Sequence, residues 1–325
     1  MKAAATPSSI IRRGKIMSEE ITKSEYTPEK AAELFPDERL KDGTDLQKAQ
    51  HVMLRILKVF DAICRKHNLN YWLDGGTLLG AARHKGFIPW DDDVDVGMPG
   101  EDYEKFCAIA EKELPFDMFF QTKETDPNHD ITWAKIRDRF SYMDDPGGPF
   151  PYCQGIPIDI FPMYLQTRAE FEHRNIRCLL QPFNNKPLKT SSRYSLKHNA
   201  YNFVWGTIQR FYSLLFKIPC IRNKYLARIT KTDENTETGW TYNPERPWFW
   251  FYPDKSFFPL TKIQFEDAFF SAPNDVNKYL EIHYGDWRTP PPENKRDVHG
   301  TTGIHLTDAG PVPDKHSLKW EDYHK

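Results

Sequence analysis

The sequence predicts a mixed α/β fold of the α+β class, with a helical subdomain added to it. Three observations carry this reading. A helical period opens the folded part at Asp45, short apolar runs bounded by glycine and proline alternate with helical patterns up to about residue 165, and beyond Pro162 the pattern changes to long basic and aromatic helices. With 325 residues the chain can bury a core without disulfides or structural metals. A composition of 39% hydrophobic, 14% aromatic and 28% charged residues excludes a collagen, a coiled coil or a wholly disordered chain, while 25 prolines predict long polar connections.

Residues 1–40 are polar, contain Lys, Glu and Pro without a sustained period, and read as a disordered leader in which Met17 is a second candidate start. The core is expected over 41–165. Between Asp45 and His67 the residues Leu46, Ala49, Met53, Ile56, Phe60 and Ile63 recur at steps of three and four, with Thr44 or Asp45 to cap the start and Asn68 at the far end. Tyr71-Trp72-Leu73, Asp74-Gly75-Gly76 and the helix-forming stretch Thr77–His84, closed by Gly86, parse as strand, glycine turn and helix. Asp91–Met98 follows as a strand, and Glu101–Leu114 as a second amphipathic helix with Tyr103, Phe106 and Ala110 on one side. Further strands are expected at Met118–Gln121, Thr132–Arg137 and Ile156–Phe161.

Residues 166–260 read as a helical insertion, with helices over Arg168–Gln181 and Arg193–Ile218, the second ended by Pro219. Over 261–325 a hairpin about Glu266-Asp267, a helix Asn274–Tyr284 capped by Gly285, and a Pro-rich polar tail complete the domain.

Charge is segregated. The formal net charge is -2, yet between His173 and Thr232 there are 12 Lys and Arg and no acidic residue, which leaves 32 basic and 46 acidic residues, or -14, for the rest. This is either one face turned to an anionic partner or a solvated helical face with a compositional bias. Within it, Tyr201–Arg228 interleaves aromatic and basic residues, as a helix resting on an anionic membrane or a helix facing a core would. No nucleic-acid motif accompanies it. No apolar run reaches about 18 residues, and the basic Ile10-Ile11-Arg12-Arg13 is not followed by the apolar stretch of a secretion signal. The expected address is cytoplasmic, at the inner face of the membrane if the basic stretch binds lipid. Cys64, Cys107, Cys153, Cys178 and Cys220 are odd in number, lack a CxxC pairing and read as reduced thiols. The 11 histidines show no catalytic spacing.

The most informative stretch is Pro89-Trp90-Asp91-Asp92-Asp93-Val94-Asp95-Val96-Gly97-Met98. If extended, its period of two places Asp91, Asp93 and Asp95 on one face and Val94 and Val96 on the other. Carboxylates so placed repel one another, so the row points to a hard divalent cation, Mg²⁺ or Mn²⁺. The apolar flank argues against a solvated loop. A calcium loop of EF-hand type fails because Val96 occupies its glycine position and Asp102 its final glutamate. Gly75-Gly76-Thr77 opens a helix, where glycine lets backbone N–H groups approach a phosphate; alone it is equally an ordinary turn. Asp159 interrupts the apolar run Ile156–Phe161 and requires a partner: a metal, an accepting hydroxyl or a backbone N–H cap. Alternation puts Lys135, Arg137 and Arg139 on one side of their strand, as phosphate-binding cations or as a salt-bridged surface.

The segment Tyr71–Met98, YWLDGGTLLGAARHKGFIPWDDDVDVGM, resembles the signature of the LicD family of phosphotransferases, which includes bacterial choline-phosphate transferases and, more distantly, the fukutin group of ribitol-phosphate transferases. The likeness continues through AKIRDR (Ala134–Arg139), GIPIDIFPM (Gly155–Met163) and YLEIHYGDWRTPPPENKR (Tyr279–Arg296), so it spans most of residues 45–300. The resemblance implies a nucleotidyltransferase-like fold of the polymerase-β type. It implies that Gly75, Gly76 and Thr77 hold nucleotide phosphates, that Asp93 and Asp95 bind metal with Asp91 assisting, and that Asp159 is the third acid. The donor expected is a CDP-alcohol, CDP-choline foremost, and the acceptor a glycan hydroxyl that attacks the choline-bearing phosphorus and expels CMP, with Lys135 and Arg137 steadying the phosphates. A glycosyltransferase that holds a sugar nucleotide through DxD, or a non-enzymatic polyanion or calcium-binding module, are the alternatives.

Overall fold

The computed structural model describes residues 25–129, 132–144, 150–174, 196–233, 235–242, 250–293, 296 and 303–306. It divides into two compact units, one running to Pro162 and resuming at Phe257, the other spanning Met163–Ser256.

The first unit begins earlier than its composition suggests. Residues 25–40 are folded, with a 3₁₀ turn at Pro28–Lys30 and a short helix α1 (Ala31–Leu34). Tyr26 is buried and donates its hydroxyl to the Glu113 carbonyl at 2.7 Å. Arg39 lies buried against Asp138, its guanidinium 2.7 and 3.1 Å from the two carboxylate oxygens. Residues 25–40 are therefore folded, against the disordered leader expected over 1–40, and residues 1–24 lie outside the described residues. Low apolar content misled the expectation, because a few side chains, Tyr26, Phe35 and Arg39, suffice to bind this segment to the core.

Helix α2 (Asp45–His67) matches its expected limits. Thr44 and Gln47 form a reciprocal capping box, Asn68 ends the helix in the left-handed conformation, and the apolar face from Ala49 to Cys64 is buried. Phe60 meets Tyr71 and Phe106 edge-on with ring centroids 5.0 Å apart in both pairs. Strand β1 (Trp72–Leu73) pairs antiparallel with β2 (Asp95–Pro99), and helix α3 (Gly75–His84) joins them; Lys85, and not Gly86, takes the left-handed cap. Helix α4 (Gly100–Glu113) leads to β3 (Met118–Gln121), β4 (Ala134–Asp138) and β5 (Ser141–Met143), and β6 (Pro157–Thr167) closes the sheet path β1-β2-β6-β4-β3.

The strand expected at Asp91–Met98 begins only at Asp95. The Asp91 amide closes a turn on the Ile88 carbonyl, and β1 offers register partners only to Val96 and Gly97, so Asp91–Val94 has no ladder in that direction.

In the second unit the far half of β6 pairs with β7, after α5 (Arg168–Glu172), α6 (Leu196–Leu215) and α7 (Pro219–Ile229). The helix expected to run to Gln181 is described only as α5, and residues 175–195 lie outside the described residues. Pro219 starts α7 and does not merely stop α6, since a proline at the first helical position forfeits no hydrogen bond. Strand β7 (Thr238–Tyr242) pairs with β8 (Tyr252–Pro253). Back in the first unit, the expected hairpin is β9 (Thr261–Phe265) with β10 (Ala268–Ala272), followed by α8 (Val276–Tyr284) ending at Gly285. The polar tail contributes β11 (Ile304–Leu306), which pairs with β5. Cys64, Cys107, Cys153 and Cys220 are free thiols; Cys178 lies outside the described residues.

Replacing Arg39 with Ala should leave Asp138 buried and uncompensated, at a cost of about 3–5 kcal/mol in urea unfolding. Wild-type stability in Arg39→Ala would show that residues 25–40 are not integral to the fold.

Candidate active site

The site is built where β1 stops. Asp74 is extended, its amide donates to the Asp95 carbonyl at 3.0 Å, and its own carbonyl accepts the first turn of α3 from Leu78. Gly75 turns the chain with φ +47°, in the region glycine favours. A Cβ there would sit 2.9 Å from Asp95 Oδ2, and one on Gly76 would sit 3.1 Å from Asp91 Oδ2. The missing side chains thus make room for two carboxylates at the start of a helix. Thr77 is buried, and its Oγ1 accepts the Asp95 N–H at 2.8 Å, which clamps the start of β2 to α3. The contact fixes where Thr77 stands beside the corner.

Five acidic side chains act on one another here. Burial pushes the Asp95 carboxyl well above the ordinary carboxylate range, and Asp93, Asp159, Asp74 and Asp91, in that order, push it further. Burial, then Asp95, Asp74, Asp91 and Asp93, raises the phenol of Tyr284, whose ring nonetheless remains 40% exposed. From the same helix, the Tyr279 hydroxyl donates to the Asp74 carboxylate and accepts the Gly75 N–H at 3.3 Å. Asp91 also acts on the guanidinium of Arg83, which donates to the Trp287 carbonyl at 3.3 Å. Asp74, Tyr279, Tyr284 and Arg83 were not singled out from the sequence; each lies within the blocks Tyr71–Met98 and Tyr279–Arg296 that carry the family resemblance, which was the available signal.

Asp159 finds a different partner from those foreseen. Lys135 stands opposite it across β4 and β6, with Nζ 2.6 and 2.9 Å from its two oxygens, and Trp133 donates its indole N–H at 3.2 Å. The Asp159 amide donates to the Val94 carbonyl at 2.8 Å, which brings this acid beside the Asp93–Asp95 segment. Arg137 is only 3% exposed and is tied to Gln121 Oε1 at 2.5 Å and the Gly155 carbonyl at 2.7 Å. It braces β3 and β4 and does not face outward. Arg139 likewise donates to the Met118 carbonyl. Near this group His129 is 1% exposed with neither ring nitrogen hydrogen-bonded among the described residues. Burial, then Arg137 and Lys135, pushes its imidazole down to about 4, against the pull of Asp126 and Asp159.

The donor set offered to a metal is carboxylate oxygen throughout, the chemistry that suits Mg²⁺ or Mn²⁺. Among the described residues no three acidic, His or Cys side chains stand as a ready-made cage, so Asp91, Asp93 and Asp95 do not form one by themselves. Mg²⁺ is ordinarily held through one or two carboxylates, water and the phosphates of a substrate, a mode this corner fits.

The geometry is a glycine corner opening a helix, with acids from two neighbouring strands gathered beside it. Residues 68–178 match the family model described as LicD/FKTN/FKRP, nucleotidyltransferase domain. It is 27% identical over 274 residues to the lipopolysaccharide cholinephosphotransferase LicD of Haemophilus influenzae, covering 78% of this chain and 95% of that protein. It is 65% identical over 34 residues to ribitol 5-phosphate transferase FKRP of Homo sapiens and of Mus musculus, a span of 10% of this chain and 7% of those.

Two outcomes test this geometry. Thr77→Val leaves the buried Asp95 N–H without an acceptor and should lower stability by about 1–3 kcal/mol in thermal unfolding, with Thr77→Ser restoring it; equal melting of all three proteins would remove the clamp. Because His129 binds its proton more weakly folded than at its ordinary 6.5, the unfolded chain takes up more protons between pH 6.5 and about 4, and stability should fall as pH drops through that window. In His129→Gln that slope, worth roughly 3 kcal/mol across the window, should flatten, as followed by urea titrations at stepped pH.

Proposed function

We propose that this phosphotransferase moves a phospho-alcohol, phosphocholine foremost, from a CDP-alcohol to a hydroxyl of a cell-surface glycan or lipid-linked saccharide, releasing CMP in the cytoplasm. The observation that carries the reading is the glycine corner, with an Asp95 oxygen against Gly75 and an Asp91 oxygen against Gly76. Similarity along 95% of a lipopolysaccharide cholinephosphotransferase supports the donor class. The order strand, glycine pair, helix, acidic strand, with β6 and its acid next to β2, supports a nucleotidyltransferase-like fold of the polymerase-β type.

In this reading Asp93 and Asp95, with Asp91 alongside, hold Mg²⁺ or Mn²⁺ at the start of α3, where the cation supplies charge neutralisation for the diphosphate and the departing CMP oxygen. Gly75 and Gly76 let the backbone at the positive end of α3 approach the phosphates. Asp159 takes the proton of the acceptor hydroxyl as that oxygen forms a bond to the choline-bearing phosphorus. The bond from this phosphorus to the bridging oxygen breaks, and CMP leaves with the electron pair. Lys135 and Trp133 hold the Asp159 carboxylate in position. Thr77 keeps the Asp95 backbone at the corner, and Arg137 braces the strand beneath.

The test is incubation of the purified chain with Mg²⁺, a panel of CDP-alcohols and candidate acceptors, with CMP release as the readout. CDP-choline should give CMP, EDTA should stop it and Mg²⁺ restore it. Asp93→Asn and Asp95→Asn should each reduce turnover by at least about a hundredfold with the fold intact by circular dichroism. Asp159→Asn should slow turnover by roughly a hundredfold or more while nucleotide binding persists. Release of UDP or GDP from sugar nucleotides would make the chain a glycosyltransferase instead, and Ca²⁺ binding without affinity for CDP-choline would make it a non-enzymatic module.

A further inference from the structure

We infer that the second unit carries a membrane-docking face on α6, and that its partner is an anionic lipid surface. Phe203, Val204, Ile208, Phe211 and Leu214 of this helix are 71, 57, 39, 62 and 64% exposed, and Ile218 just beyond it is 46% exposed. At 3.6 residues per turn the five helical residues fall within an arc of about 140° centred near Phe211, and between positions 203 and 214 only Thr207 shares it. Single exposed apolar side chains are common, but a contiguous stripe of large ones marks a surface that is covered in use. This exposure decides against the core-facing reading that the sequence left open.

The surrounding charge specifies what covers it. Arg210, Lys217, Arg222, Lys224 and Arg228 are exposed and make no ion pair among the described residues. No acidic residue occurs between His173 and Thr232. An apolar stripe on a unit with such exposed cations matches an interfacial helix, whose large side chains enter the headgroup boundary while Lys and Arg meet anionic headgroups. A second copy of the chain would bring a like-charged face against this one, which repels. No described helix is long and apolar enough to cross a membrane, so the contact is one of lying on the surface. The inference stands apart from the transferase chemistry, because none of its residues belongs to the acidic corner.

Flotation of the full chain with vesicles tests it without reference to activity. The chain should float with vesicles of phosphatidylcholine mixed with phosphatidylglycerol, remain at the bottom with phosphatidylcholine alone, and be released as salt is raised. F211E/L214E and, separately, R222E/K224E should each weaken partitioning by at least about tenfold with unchanged melting temperature, since all four side chains are exposed. Failure of the wild-type chain to float with anionic vesicles, or flotation of F211E/L214E as strong as wild type, overturns the inference. A dimer in solution that F211E/L214E disperses would also overturn it by assigning the face to a second copy.

Discussion

The constraint on which the site depends is the mutual repulsion of carboxylates around Asp95. Four other acids raise its pKa after burial has already done so, and such a group stays together only because the rest of the structure over-determines it. Three of the acids are fastened by different devices. Asp74 receives the Tyr279 hydroxyl, the Asp95 amide is held by Thr77, and Asp159 is held by Lys135 and Trp133. These tethers reach the site from α8, α3 and β4, so the corner is a product of the whole first unit and not of one loop. The core offsets its cost, through the buried apolar face of α2.

The tethers also set the charge balance. Of the cations the sequence offered to phosphates, Arg137 and Arg139 are committed to carbonyl and amide oxygens, and Lys135 is committed to Asp159. Arg83 is the other cation that acts on the cluster. Two cations against five acids leave the corner negative before an anionic diphosphate arrives. For the proposed reaction, the positive charge beside the phosphates must then come from the end of α3 and from a divalent cation, more than from side chains. Thr77 and Arg137 both make hydrogen bonds within the fold, Thr77 to the Asp95 amide and Arg137 to Gln121 and the Gly155 carbonyl.

What was legible in the sequence is what local physics decides. Helix α2 could be read to the residue because its period, its Thr44 cap and Asn68 all lie within the segment. The strand Met118–Gln121, the hairpin about Glu266-Asp267 and the Gly285 stop were legible for the same reason. Strand β2 was misjudged at its start, because strand length is set by the partner, and β1 ends where Asp74 turns into Gly75. Strands β5, β7, β8 and β11 were not foreseen; β5 and β11 pair with each other across more than half the chain, from Ser141–Met143 to Ile304–Leu306. Separation along the chain also hid the roles of Lys135, which depend on Asp159, 24 residues on, and of Arg39, which depend on Asp138, 99 residues on. The acids and glycines of the site were legible as residues, and their supports were not, because the supports come from elsewhere in the chain.

If the proposed reaction and the proposed membrane contact hold, the segregation of charge has a physical use. A cluster of carboxylates is repelled by an anionic lipid surface over a Debye length of about 8–10 Å at moderate salt. An enzyme that carries such a cluster, and whose acceptor is a lipid-linked saccharide, needs attraction from another part of the chain. The 12 cations without a single acid between His173 and Thr232, on the unit that also exposes Phe203, Phe211 and Leu214, can provide it. Mixing those cations into the acidic unit would neutralise the field that attracts a divalent ion and would weaken the attraction to lipid. Separate units allow both fields to remain strong, and a net charge of -2 conceals them.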